Sequence, residues 1–597
     1  MCRVVHSASP STIKLVLHMK TKPDDKAGAP GLPVSRSLAD GSLKKRILLN
    51  GDSCTYFYSP EVWQPEGGSY TARAIHRFVG KLASSGVDTF VINGNTQRTW
   101  YPSRSLPRIT EGYTRGNRDF FRGHAPCAGI TDDKLDAFLD NGVRFLNLYL
   151  DLEEAGVDWL RETTLACRVN GMTPWVSVRM NDTHGADNPE GSYMNCPLFR
   201  DPAMRVNKHA INPHDRNAIC REGLNYLRPE VREYMLAMIR EPVVEYDFAG
   251  LEIDWMRDPI CIPPPASRHD VEIITDFFHQ VRQIADARAR VTGIPFPVSL
   301  RAPGSLALLL DIGIDVRTLV REGVVDCFAP TNYYQSAWDM PFDELRRELG
   351  DRVTLFGVIE GAPNWLPCAA STSKANGMYR SMQYSPDFIR GNAAAKLVLG
   401  ADSIEFFNCF FASLKGLMHK PAFEAIRDVA GLDGLRGKRK AYTFSTQFSN
   451  PGPMTVERVA QFPCVLEPDM NRSFRLPMCR EPEEISVAVQ VIVDRIEPLP
   501  DLGVALNGGW PVFQGETSSV LFAECRDYDI LKDEQVSVVF RFPSDRICEG
   551  WNEITVHNNA HINQDGTTST DDRLTHTVRI RSVEVVCNRP NGNQSSR

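Results

Sequence analysis

Phe248-Ala249-Gly250-Leu251-Glu252-Ile253-Asp254-Trp255-Met256-Arg257-Asp258-Pro259 passes from apolar residues into acidic and cationic ones and then a proline, as a buried strand does on reaching a functional rim. An amphipathic helical run, Pro229 to Tyr246, precedes it, so the stretch reads as helix, strand, active-site loop. Side chains alternate along a strand, which puts Glu252 and Asp254 on one face and Leu251, Ile253 and Trp255 on the other. Burying ionised carboxylates is costly without partners. The pair is therefore linked to cations or works as acid, base or nucleophile.

Outward from this stretch, short apolar runs recur with helical patterns between them. Strands are expected at 46–50, 88–93, 173–180, 250–254, 296–301, 325–331, 353–359 and 403–408. Helices are expected between them at 70–84, 157–169, 229–246, 270–292, 316–322, 341–349 and 387–399, and at 421–430 after the last strand. One segment threatens the count, because Val143 to Leu150 follows an Asn-Gly pair and would pass for a ninth strand. We read it as helical: Leu146, Tyr149 and Leu150 fall at i, i+3 and i+4, and Glu-Glu-Ala-Gly follows as a C-cap pattern. The chain then closes as an α/β fold, a (β/α)8 TIM barrel over 43–437.

After Lys438 the texture changes to alternating short strands, at 487–493, 536–542, 553–557 and 574–586, with Gly, Pro, Asn and Asp turns. This predicts an all-β sandwich or jelly-roll domain over 438–588. Residues 1–42 read as a disordered leader and 589–597 as a disordered tail. A chain of 597 residues exceeds one ordinary core, consistent with two domains.

Composition excludes several classes. A net charge of -7 offers no polybasic footprint for nucleic acid or anionic lipid, and no apolar run approaches the roughly 20 residues needed to cross a bilayer. Asn50-Gly51-Asp52 after the first strand is not GxGxxG, and neither HExxH nor paired CxxC occurs, so no cofactor or metal is expected. Fifteen cysteines without a regular framework favour a reduced, cytoplasmic setting. The competing reading is a secreted protein, in which Asn471 and Asn593 would head glycan acceptor triplets.

In such barrels chemistry sits at the C-terminal ends of the strands. Those ends carry Asn50 and Asp52, Asn93 and Asn95, Arg179 with Asn181, Asp182 and His184, Glu252 with Asp254 and Arg257, Arg301, Asn332 with Tyr333 and Tyr334, Glu360, and Asn408. The cluster argues function, although any single member would serve equally as a capping or solvated residue. Trp100, Tyr101, Tyr333, Tyr334 and Trp365 also follow strand ends, where aromatic faces stack on sugar rings or pack against loops.

The phrases Val178-Arg179-Met180-Asn181-Asp182-Thr183-His184, Pro229-Glu230-Val231-Arg232, Gly250-Leu251-Glu252-Ile253-Asp254-Trp255-Met256-Arg257 and Gly400-Ala401-Asp402-Ser403-Ile404 resemble the glycosyl-hydrolase-like barrel families of the family 10 type, related to the large retaining glycosidase clan. The resemblance covers roughly Leu43 to Ala430. It implies a retaining glycoside hydrolase with one catalytic acid at the end of strand four and another at the end of strand seven, where Asp254 and Glu360 stand. The clan's strand-four residue is a Glu preceded by Asn; here Ile253 precedes Asp254. On this basis Asp254 is expected as acid/base and Glu360 as nucleophile, with Glu252 paired to Arg179 or Arg301. Arg179, Asn181, Asp182, His184, Glu252, Arg257, Arg301, Asn332, Tyr333, Trp365 and Asn408 are expected to face a carbohydrate. The alternatives are a barrel that binds carbohydrate without turnover, and a barrel hydrolase or lyase acting on a non-glycoside.

Overall fold

The computed structural model describes residues 42–589 except 53–55, 58–59, 125–130, 187, 207–222, 257, 333–335, 361–364, 368–378, 382–384, 409–419, 445–460, 497–498, 518–534 and 561–576. The leader and the tail beyond 589 lie outside the described residues. Eight parallel strands close a barrel: β1 (Ile47–Gly51), β2 (Thr89–Asn93), β3 (Thr173–Arg179), β4 (Leu251–Asp254), β5 (Val298–Pro303), β6 (Cys327–Thr331), β7 (Thr354–Ile359) and β8 (Ser403–Phe407). Neighbours in sequence are neighbours in space, and β8 returns to β1. Val143 to Leu150 lies within the helix Asp132–Glu154, and Gly156 just beyond takes the left-handed φ of 71° that ends such helices.

The strands form because each is apolar outward and mixed inward. Ile47, Leu49, Phe90, Ile92, Val176, Val178, Leu251, Ile253, Leu300 and Phe406 join the large core shared with the helices. Leu48, Val91, Trp175, Phe356, Val358 and Phe407, at the alternate positions, make a second, smaller cluster inside the barrel. Where β4 begins, a Cβ on Gly250 would come 2.4 Å from the Trp175 ring, so only glycine lets the chain pass there. The long helix after β4, Arg268–Thr292, starts with a capping box between Ser267 and Asp270 and ends at Gly293 in the left-handed conformation.

Beyond the barrel the chain forms two antiparallel sheets. Their strands are β9 (Lys440–Thr443), β10 (Cys464–Leu466), β11 (Asn471–Met478), β12 (Ser486–Asp494), β13 (Leu502–Leu506), β14 (Phe513–Thr517), β15 (Gln535–Pro543), β16 (Gly550–Asn558) and β17 (Val578–Asn588). One sheet runs β9-β17-β12-β15-β14 with β10 also on β17, and the other runs β11-β16-β13. The helix Pro386–Val398 packs against β9 so closely that a Cβ on Gly391 would fall 1.9 Å from the Ala441 carbonyl oxygen. Trp551 Nε1 donates to Asp343 Oδ2 at 3.0 Å across the same junction. No described helix is long and apolar enough to cross a membrane.

Candidate active site

Asp254 ends β4, Arg301 lies on β5, and Glu360 follows β7 directly. Alternation turns all three inward, and they meet at the C-terminal end of the barrel. Arg301 Nη1 donates to Asp254 Oδ1 at 2.8 Å, and Nη2 donates to Glu360 Oε1. All three side chains are at most 2% exposed. The guanidinium carbon stands 3.5 Å from the centroid of the Phe407 ring, a cation–π contact that holds its plane. Thr331 Oγ1, at the end of β6, donates to Glu360 Oε1 at 2.7 Å, and Ser336 Oγ accepts the Glu360 backbone N–H at 2.9 Å. Asp254 Oδ1 also accepts the Met256 N–H, whereas its Oδ2 is buried with no hydrogen-bond partner among the described residues.

The electrostatics follow from burial around one cation. Burial pushes the Glu360 carboxyl up to about 7, although Arg301 and Thr331 pull it down. Arg301 holds its proton more tightly than usual, because the anions of Glu360, Asp254, Glu252 and Glu405 outweigh its own burial. Behind β7, burial lowers the Lys396 ammonium to about 7 against the pull of Asp339 and Glu360. Lys396 donates to the Ala337 carbonyl at 2.5 Å, next to Ser336, so the loop that receives the Glu360 backbone is fastened from the outer helix.

One layer deeper, Asn50 Nδ2 donates to both Glu252 Oε1, at 2.5 Å, and Glu405 Oε1, at 3.0 Å. Ser177 Oγ donates to Glu252 Oε1 at 2.8 Å. Glu252 and Glu405 are buried, and their bonds here are to neutral groups rather than to Arg179 or Arg301. The expected Glu252–arginine pair is thus replaced by a carboxyl–amide–carboxyl arrangement.

Arg179 instead anchors a cluster to one side. It donates to Asp52 and, at 2.9 Å, to Asp182 Oδ2; Asp182 Oδ1 lies 2.7 Å from His184 Nδ1, and Asn408 Nδ2 donates to Asp52 Oδ2 at 2.9 Å. Asn408 takes a positive φ of 49°, a conformation Asn tolerates, which directs its amide back to β1. The Asn181 amide is committed to backbone: Nδ2 donates to the Asp258 and Ile260 carbonyls at 3.0 Å, and Oδ1 accepts the Leu224 N–H at 2.9 Å. It ties loops together and leaves little for a ligand. Asn332 follows β6 half-buried, its Oδ1 without a hydrogen-bond partner among the described residues.

Arg257, Tyr333 and Tyr334 lie outside the described residues. Trp365 opens a short strand, Trp365–Pro367, paired with Tyr379–Ser381, and its side chain also lies outside them. Trp100 packs edge-on against Phe145 and Tyr149, and Tyr101 against Tyr246, so both serve the loop core. Sequence reasoning missed Thr331, Ser336, Phe407 and Glu405. Glu405 had a signal: in Ser403-Ile404-Glu405-Phe406-Phe407 it is an acid at the centre of an apolar strand, in phase with Phe407. Among the described residues, no group of His, Cys, Asp and Glu is arranged to hold a metal ion.

No protein-family model matches the chain. No curated protein matches it either. Solved structures with a similar fold include the GH138 enzyme targeting pectin rhamnogalacturonan II, at TM-score 0.34 and 11% identity, over 66% of this chain and 39% of that one. The GH27 β-L-arabinopyranosidase from Geobacillus stearothermophilus, in complex with arabinose, aligns at TM-score 0.34 and 11% identity over 87% and 98%. The maltogenic α-amylase AmyB from Thermotoga neapolitana aligns at TM-score 0.33 and 12% identity over 86% and 99%. This chain thus spans about two fifths of the length of the first of these, and a likeness of this degree does not extend to activity.

Proposed function

We propose that the protein is a glycoside hydrolase that cleaves an O-glycosidic bond of a carbohydrate with Glu360 and Asp254. One observation carries this: two buried carboxyls from opposite parts of the barrel share Arg301, and one of them titrates near neutrality. Glycosidic cleavage requires one protonated and one ionised carboxyl at the same bond. Glu360 suits the proton donor. Asp254, held by Arg301 and the Met256 N–H, suits the ionised nucleophile or base, which reverses the roles expected from the sequence. A shared guanidinium keeps the acids close, which favours the spacing of about 5–5.5 Å that retention uses over the 6.5–9.5 Å of inversion.

The test is a panel of aryl glycosides and polysaccharides, with the anomer of the first product read by NMR. Azide restoring turnover to Asp254→Ala makes Asp254 the nucleophile; rescue of Glu360→Ala instead returns the roles to those expected from the sequence. Full turnover in both variants overturns the assignment. The engagement of both acids by Arg301 favours a second reading, a barrel that binds carbohydrate without turnover. Oligosaccharide binding by calorimetry with no product after long incubation would support that reading.

The antiparallel sheets of 438–588 make, in this proposal, an accessory β-sandwich domain beside a catalytic barrel of 43–437. The close seat of Gly391 on Ala441 and the Trp551–Asp343 hydrogen bond support a fixed junction.

A further inference from the structure

We propose that Glu252 and Glu405 hold one proton between them in the barrel core, so that the single charge of Arg301 is left to Asp254 and Glu360 above. The inference does not depend on which reaction the barrel performs.

Three observations carry it. Glu252 is 1% exposed and Glu405 0%. A single amide nitrogen, Asn50 Nδ2, donates to one oxygen of each, which draws the two carboxyls together. Two carboxyls gathered on one donor in a dry core repel each other when both are ionised, and a proton on one of them removes that repulsion. Among the described residues, the titratable groups that act on the pair are Asp254 further along β4 and Arg301 on β5, with the Cys327 thiol on β6 near Glu405. Of these only Arg301 is cationic, and its hydrogen bonds go to Asp254 and Glu360. Asn50 and Ser177, from β1 and β3, are neutral. Two bare anions would face each other with no cation in contact, the arrangement that drives one carboxyl to keep its proton. Burial raises Glu252 well above the ordinary carboxyl range, and the charges of Glu405 and Asp254 raise it further; burial raises Glu405 as well.

The linkage sign follows. Carboxyls whose proton affinity is raised by folding contribute stability that is complete below the unfolded carboxyl pKa of about 4.3 and is lost as pH rises through the folded titration. The wild-type melting temperature should therefore fall as pH rises above about 4.3. Glu405→Gln replaces one carboxyl by a permanent donor and should flatten that fall.

Infrared spectra of the full chain at pH 8.5, where Glu360 is largely ionised, test the proton directly. The expected result is a protonated-carboxyl C=O band that shifts in D2O, persists in Glu360→Gln, and is lost in both Glu405→Gln and Glu252→Gln. Absence of the band from the wild type overturns the proposal, as does its persistence in both glutamine variants. Parallel melting curves against pH for wild type and Glu405→Gln overturn it too. If either glutamine variant fails to fold, the other reads the same proton, and the wild-type band decides alone if both fail.

Discussion

Asp254 and Glu360 sit on the two terminal nitrogens of Arg301, whereas Glu252 and Glu405, one layer deeper, sit on the single amide nitrogen of Asn50. All four carboxyls are buried to the same degree. Burying an anion demands either a counter-charge or a proton, and the layers divide these differently: the upper one has a cation, with Glu360 also raised to about 7, and the lower one has no cation in contact. The upper pair keeps one charge and one proton for chemistry, and the lower pair shares one proton without a cation in contact. The layer nearer the mouth is therefore the reactive one, and the deeper layer shapes the field in which it works. Arg301 is the point where the two meet, since the anions of both layers raise its hold on the proton.

Removing that cation should produce the largest effect. Arg301→Met leaves Asp254 and Glu360 buried without a counter-charge, and breaking a buried ion pair from one side costs about 3–5 kcal/mol. Urea unfolding should show a loss at the upper end of that range, and the triple variant Arg301→Met/Asp254→Asn/Glu360→Gln should recover most of it. Wild-type stability in Arg301→Met would mean that the upper pair is neutralised by protons like the lower one, and the contrast between the layers would vanish.

Arg179→Met should come next. Arg179 is 4% exposed and serves Asp52 and Asp182, but Asp52 keeps Asn408 and Asp182 keeps the half-exposed His184. A loss of about 3 kcal/mol is expected, at the low end for a broken buried pair because partners remain. A melting temperature equal to that of the wild type would make this cluster a solvated surface pair instead.

Short apolar runs between helical patterns located all eight barrel strands, because that texture is a local property of each strand, and alternation then put Glu252 and Asp254 on one face. The same locality explains what the sequence hid. Alternation assigns a face, but it does not say which strands meet across a barrel, so Glu252 is matched to Arg179 or Arg301, whereas Arg179 reaches Asp52 just beyond β1. Thr331 and Phe407 gave no charge signal at all, and they matter only because the barrel's closure brings β6 and β8 to Arg301 and Glu360. In the C-terminal sheets, β12, β15, β16 and β17 were legible from their apolar cores. The three-residue β10 and the polar-edged β11, with Asn471, Arg472, Ser473 and Arg475 exposed, were not, since their pairing comes from β17 and β16 and not from their own pattern.

The titration of Glu360 offers a smaller and sharper contrast. If the protonated form donates to the leaving group, kcat/KM should fall about tenfold per pH unit above about 7, each tenfold step being about 1.4 kcal/mol. Its stability sign matches that of the lower pair: folding raises this carboxyl, so its contribution is full below about 4.3 and is lost as pH rises through about 7. Arg301→Lys gives up the two-pronged contact and should move the alkaline limb, because the cation no longer holds Glu360 in a fixed fork. An alkaline limb unmoved in that variant would detach Glu360 from the observed rate.

The smallest effect is the most diagnostic of the lower pair. Ser177 Oγ donates to Glu252 Oε1 at 2.8 Å, and Asn50 donates to the same oxygen. Ser177→Ala removes one of two donors without touching a charged partner or the mouth of the barrel. A hydrogen bond between neutral groups is worth about 0.5–1.5 kcal/mol, and one to an ionised group about 1.5–3 kcal/mol. With Glu252 sharing the proton, the cost in urea unfolding at pH 7 should be about 1 kcal/mol, with an unchanged m-value. A cost near 3 kcal/mol would assign Glu252 a full negative charge, and the deeper layer would then need the cation that its geometry does not supply. Repeating the measurement at pH 5 separates the cases again, because a shared proton makes the Ser177→Ala cost nearly independent of pH, whereas an ionised Glu252 makes it shrink as the carboxyl protonates.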